Sequence, residues 1–209
     1  MDIKKTIENL EKNNMKVYHI SSEDELLPLL DELIPEGVSV SAGGSVTLHK
    51  AGVFDYLRNR NVDFLDRFNT SLSKDELTEL YRKAFFTDVF VTSSNAITED
   101  GELYNVDGRG NRVAALIYGP DSVIVVAGVN KIVKNIDEAV ERVKKIAAPK
   151  NCSRLSVDSY CSKAGECVKA EGKIGSGCKS GICSSFVVSG YQMIKDRVKV
   201  VLVDKELGY

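Results

Sequence analysis

Over its first 92 residues the chain alternates amphipathic helical segments with short apolar runs, and that alternation restricts its fold more than any other feature. Ile3, Ile7 and Leu10 fall on one face of a helix. Ser22 with Glu25 makes a capping-box pattern ahead of Leu26, Leu29, Leu30 and Leu33, and Pro28 sets that helix to start late or bend. A short strand follows at 38–40, then the turn Ala42-Gly43-Gly44-Ser45. Next come a helix over 46–57 and a strand over 62–65. Ser73 with Glu76 repeats the capping box before a helix running towards Ala84, and 88–92 reads as another strand. Parallel neighbours cannot be joined by a tight turn and need a crossover, so strands spaced by helices predict a largely parallel sheet. The expected class is α/β with a mostly parallel sheet.

The pattern changes after residue 96. Asp100-Gly101 is a type I′ hairpin signal, and Asp107-Gly108-Arg109-Gly110 is a second glycine-rich turn before the apolar run 113–117. The stretch 97–116 therefore reads as antiparallel strands, a hairpin added to the sheet. The run 123–126 has the character of a buried strand and 137–147 of a helix that Pro149 ends. A last strand is expected at 198–203. One domain spanning 1–209 follows, with 151–195 as a C-terminal extension rich in Ser, Lys, Gly and Cys.

Charge and hydropathy exclude several roles. There are 28 Lys plus Arg against 30 Asp plus Glu, a formal charge of −2, so the chain lacks the basic footprint of a nucleic-acid binder. No apolar run approaches the length of a membrane span, and the charged N-terminus does not look like a targeting signal. The expected location is the cytoplasm, where thiols stay reduced. Clustered cysteines in that compartment read first as metal ligands or redox groups.

Four segments could carry chemistry. In Gly43-Gly44-Ser45-Val46-Thr47, a strand hands over to a helix; glycines there permit close backbone approach, and Ser45 and Thr47 offer hydroxyls to an anion, or Ser45 or Thr47 simply caps the helix. It is neither a P-loop nor the Gly-x-Gly-x-x-Gly of NAD-binding folds. The polar stretch from Thr92 through Asn95 to Asp107, Gly110, Asn111 and Arg112 leaves a strand end, where α/β ligand sites gather. Its Asn, Asp and Gly residues are also ordinary turn formers. Asn130 and Lys131 follow the next buried strand, and Lys131 could neutralise an anion or act as a desolvated amine. Finally, Cys161, Cys167, Cys178 and Cys183 lie within 23 residues among glycines, a set able to close around Zn²⁺ or an iron–sulfur cluster, although without the Cys-x2-Cys spacing of zinc ribbons. Residues 151–209 hold nine basic against six acidic residues, a mildly basic setting that favours thiolates. Cys152 stands apart and reads as a small packed residue. His19 and His49, the two histidines, suggest no triad or metal motif.

Together, Gly43-Gly44-Ser45-x-Thr47, Ser94-Asn95-Ala96-Ile97-Thr98-Glu99-x-Gly101, Asp107-Gly108-x-Gly110-Asn111-Arg112-Val113-Ala114 and Gly128-Val129-Asn130-Lys131 resemble the lactate-utilization (LUD-domain) proteins. The resemblance runs in order from Lys4 to Leu207-Gly208-Tyr209. A short branch of that family carries a C-terminal cysteine cluster, which the four cysteines resemble, with 168–177 as an insertion between the second and third. The resemblance implies a three-layer α/β/α fold like that of the sugar-phosphate isomerases and CoA transferases, whose members bind phosphate or acyl-carboxylate groups at these loops. It also implies a role around the oxidation of lactate to pyruvate. The partners it implies are a small anionic metabolite and iron–sulfur oxidoreductase subunits, with self-association into a homo-oligomer left open. If the chain catalyses a reaction, acyl or phosphate-ester chemistry fits better than hydride transfer, because the NAD fingerprint is absent. The alternative is a non-catalytic assembly or docking factor with a zinc- or cluster-binding tail.

Overall fold

A computed structural model describes residues 1–168, 174, 178 and 180–209. In chain order its strands are β1 (Lys16–Ile20), β2 (Ser39–Ala42), β3 (Asp63–Leu65), β4 (Val89–Thr92), β5 (Ala96–Thr98), β6 (Leu103–Asp107), β7 (Ser122–Gly128), β8 (Ile132–Val133), β9 (Ser185–Ser189) and β10 (Val198–Val203). The helices are α1 (Ile3–Lys12), α2 (Leu26–Leu33), α3 (Val46–Lys50), α4 (Val53–Asn59), α5 (Lys74–Lys83), α6 (Asn111–Tyr118), α7 (Ile136–Arg142), α8 (Ala148–Arg154) and α9 (Tyr160–Ala164). Six strands pair in the order β1-β10-β7-β4-β2-β3, every neighbour parallel, and helices cover both faces. The expected α/β class with a parallel sheet is the observed one.

Side-chain alternation along β7 and β10 explains the layers. Ile124, Val126, Val201 and Val203 point to one face and pack with Leu26 and Leu30 of α2, Leu48 of α3 and Leu57 of α4. Val123, Val125, Val200 and Leu202 point to the other and meet Leu10 of α1 and Leu116 of α6. Strands buried on both faces read as continuous valine-rich runs, as 123–126 and 198–203 do. β10 comes last in sequence yet lies inside the sheet, between β1 and β7.

Four local expectations need correction. The hairpin β5–β6 does not extend the parallel sheet; it belongs to a second, mixed sheet ordered β8-β5-β6-β9. Its turn is not type I′, because Gly101 takes a positive φ while Asp100 does not, and the Thr98 carbonyl accepts the Gly101 N–H. The apolar run 113–117 is helical, within α6: Gly110 adopts the left-handed conformation and the Asp107 carboxylate accepts the N–H groups of Arg112 and Val113. The helix read over 46–57 is two helices, broken where Gly52 has φ +69°.

Nor does Pro149 end the helix that starts at α7. The chain passes through a π-helical turn at Val143–Ala147 and continues as α8. In a π turn each carbonyl meets the N–H five residues on. For Lys144 that residue is Pro149, which has no N–H. The Lys144 carbonyl accepts instead from the N–H of Cys167, at 3.1 Å, so the proline frees an acceptor that anchors the cysteine segment.

Candidate functional site

The loops leaving β7, β4, β2 and β3, neighbours in the sheet, meet at its carboxyl edge, where open parallel sheets place their ligand sites. Three buried or half-buried cations lie there. Lys131 is 3% exposed and donates to Thr47 Oγ1 at 2.7 Å, Ser93 Oγ at 2.9 Å and the Ser94 carbonyl at 3.1 Å. Arg112 donates to the Ser93 carbonyl, Asn105 Oδ1, Asn95 Oδ1 and the Val106 carbonyl, at 2.6–3.1 Å. Arg142 reaches the carbonyls of Asn130 and Asn95. Burial, and then the charges of Arg142 and Arg112, push the Lys131 amine down to about 7. Burial likewise lowers Arg112 and Arg142.

Each sequence-predicted residue has a definite place in this arrangement. Gly43 is open because the Thr92 hydroxyl and the Arg112 stem fill the space a Cβ would need, at 2.8 Å and 3.2 Å. Gly44 is open because the Arg67 guanidinium lies over it, 3.3–3.4 Å from where a Cβ would stand. Ser45 is the N-cap of α3, accepting from the Leu48 N–H. Thr47 receives Lys131 and donates to the Leu207 carbonyl. Asn95 accepts from Arg112 and from the Val106 N–H. Asp107 and Gly110 shape the start of α6, and Asn111 is its first residue. Asn130 accepts the Leu207 N–H, so the C-terminal tail closes over the end of β7.

Sequence reasoning missed several members of this cluster. Arg67, two residues past β3, is held by its stacking on Tyr81, with the guanidinium carbon 4.8 Å from the ring centroid, and by a 2.9 Å bond to the Tyr81 hydroxyl. Arg142 sits at a helical position that nothing in the local pattern distinguishes. Asn105 is fully buried; its oxygen serves Arg112 while its Nδ2 has no partner. An arginine just beyond a strand end was the one available signal for Arg67.

The second feature is a cavity of about 20 Å³ onto which Cys152, Cys161, Cys167, Cys178 and Cys183 all face, with Tyr104 in its wall. Cys152 is packed, as expected of a small residue, but its thiol belongs to this set: it contacts Ser159 and Cys161 and receives the Ile182 N–H. Burial and the four other thiols raise the Cys183 thiol to about 12, and burial raises Cys152. Cys178 goes the other way, lowered by hydrogen bonds led by those from Ser180. The 168–177 insertion lies mostly outside the described residues.

Among the described residues no three His, Cys, Asp or Glu side chains approach closely enough to hold one metal ion. Tetrahedral zinc draws its sulfurs to 2.3 Å from a single centre. A multi-iron cluster carries its thiolates on separate irons and holds them further apart; the described thiols leave about 20 Å³ between them.

A parallel α/β sheet with a cationic cluster at its carboxyl edge and a thiol-lined cavity beside it defines the class. A model of the LUD domain matches residues 3–203, almost the whole chain, and the protein belongs to the LUD-domain family. The crystal structure of a DUF162 family protein from Deinococcus radiodurans superposes with a TM-score of 0.52 at 15% identity, covering 96% of this chain and 94% of that one. At that identity the likeness establishes the shared fold. No curated protein matches. No helix among the described residues is long and apolar enough to cross a membrane.

Proposed function

We propose that this lactate-utilization-type protein binds a small anionic metabolite, bearing a carboxylate, phosphate or acyl group, at the carboxyl edge of its parallel sheet in the cytoplasm. One observation carries the reading. Arg67, Arg112, Arg142 and Lys131 gather there, and none of them has a carboxylate ion-pair partner among the described residues. Gathering like charges out of water is costly without a counter-charge, and Asp107 is the one carboxylate whose field acts on Arg112. An anionic ligand supplies the balance. Titration calorimetry with lactate, pyruvate, CoA and sugar phosphates tests it: binding of one class is expected, and silence from all four removes the reading.

The five-thiol cavity favours a second element, an iron–sulfur cluster held by Cys161, Cys167, Cys178 and Cys183. When bound, a cluster of this kind takes up and releases single electrons, which would link the chain to iron–sulfur oxidoreductase subunits either in lactate oxidation or as a docking factor. The chain's own part is to hold the thiols apart in an apolar wall and to anchor Cys167 through the Lys144 carbonyl. Iron and acid-labile sulfide in anaerobically purified protein are expected; stoichiometric zinc without iron would make the segment a structural staple instead.

A further inference from the structure

Two of the three buried cations have little left to offer a ligand. Lys131 spends all three ammonium donors on Thr47, Ser93 and Ser94, and Arg112 spends four of its five on protein oxygens. Arg142, 8% exposed, spends two of its five donors on main-chain carbonyls. Arg67 differs. It makes one hydrogen bond, to the Tyr81 hydroxyl, and its other donors meet no partner among the described residues.

Its position is nevertheless fixed. Phe68 and Tyr81 both present ring faces to the guanidinium, at 5.6 Å and 4.8 Å. Three guanidinium atoms lie at nearly the same distance from the Cβ position of Gly44, so the plane lies flat on the glycine turn. Any side chain at 44 would displace it. The cation is also near enough to Arg112 for the two charges to act on each other. A guanidinium pinned flat, half-buried, with most of its N–H edge unspent, is pre-organised at little further entropy cost.

We propose that Arg67 is the residue that grips the ligand, and that it takes a planar carboxylate across its N–H edge above Gly44. In this arrangement Arg112 and Arg142, joined by Lys131 when its amine is protonated, form a positive floor whose field attracts the anion. The inference rests on the anionic-ligand reading and narrows it to one ligand class. Two parallel N–H groups match the two oxygens of a carboxylate, whereas a phosphate needs donors from more directions than the floor has free.

The test is titration calorimetry of pyruvate, lactate and inorganic phosphate into the full chain and into Arg67→Gln, Arg67→Lys and Tyr81→Phe. Thermal unfolding of each variant confirms that it is folded. A carboxylate is expected to bind the unmodified chain more tightly than phosphate. Arg67→Gln should weaken it about 10- to 100-fold, the effect of losing a charge-assisted pair of hydrogen bonds. Arg67→Lys should recover part of that loss, and Tyr81→Phe, which keeps the ring but frees the guanidinium, should cost a few-fold. Carboxylate binding unchanged within twofold in Arg67→Gln overturns the role of Arg67 and leaves the anion site standing. Tighter binding of phosphate overturns the ligand class. Binding of none of the three by the unmodified chain, with CoA or a sugar phosphate bound, also overturns it; silence from those as well removes the site reading itself.

Discussion

The cationic cluster and the cysteine cavity are built on opposite principles. The first is assembled from loops that leave four adjacent strands of one parallel sheet, and its buried donors are met by main-chain carbonyls, hydroxyls and amides. The second is assembled from α8, α9 and the chain ahead of β9, and its thiols mostly face one another across a small cavity. A strand edge can satisfy a buried charge because it presents carbonyls at fixed spacing. Among the short helices and turns of the second region, burial raises the thiols of Cys183 and Cys152 while hydrogen bonds led by Ser180 lower that of Cys178. The first region therefore meets its buried charges with its own polar atoms, whereas the second keeps its thiols around an apolar cavity.

The sharpest way to break this contrast is to delete a thiol. Cys183→Ser should lose most of the iron taken up on anaerobic reconstitution, read by metal analysis, while its anion titration stays as in the unmodified chain. Equal iron in the variant would mean the cavity is not a cluster site.

Deleting an inner cation should instead damage the fold. Arg112→Met removes four buried charge-assisted hydrogen bonds, to the oxygens of Asn95 and Asn105 and to two carbonyls, and is expected to cost about 3 kcal/mol in urea unfolding. A cost below about 1 kcal/mol would show that the floor is not structural.

The buried amine provides a test in pH. Lys131 titrates at about 7 when folded, far below its ordinary value, so between the two the unfolded chain holds a proton that the native chain does not. Stability should accordingly rise as pH rises above about 7, by about 2 kcal/mol between pH 7 and 9 relative to Lys131→Met. Anion affinity should run the other way, strengthening as pH falls through about 7 and the amine gains its charge. Parallel unfolding curves for both proteins across this range would show that Lys131 carries no such shift.

The smallest effect concerns the outer wall. Ser73 and Glu76 cap α5, the helix that presents Tyr81 to Arg67. Ser73→Ala should cost about 1 kcal/mol in thermal or urea unfolding. If Arg67 depends on that helix, the same change should weaken carboxylate binding slightly; affinity identical to the unmodified chain would detach the cage from α5.

Much of this architecture was legible in residues taken one segment at a time. The Ser73–Glu76 box marks a helix start because both partners are three residues apart on the same chain, and valine-rich runs mark strands because both faces are buried. Gly43, Gly44, Thr47, Asn95, Arg112 and Lys131 could be grouped from the sequence because parallel sheets gather their loops at one edge. Local pattern failed where a single residue reset the backbone. Asp107 with Gly110 turns a strand-like run into α6, and the π turn before Pro149 carries a helix past a residue that usually stops one. Arg67 was missed because its partners Gly44 and Tyr81 are 23 and 14 residues away, and only the pairing of β2 with β3 brings them together.

What the sequence determined alone is therefore local: the alternation of helix and strand, the capped starts, and the glycines that leave room for something larger than a backbone. The tertiary structure decided what fills that room. Inserting β10 between β1 and β7 draws the C-terminal tail across to Thr47 and Asn130, and the strand order brings Arg67 and Arg112 against one glycine turn. It also turns Cys152 from a packed residue into the fifth thiol of a cavity. The physical reason is range. Capping and periodicity act within a few residues, whereas a buried charge or thiol is defined by neighbours that only a closed sheet can supply.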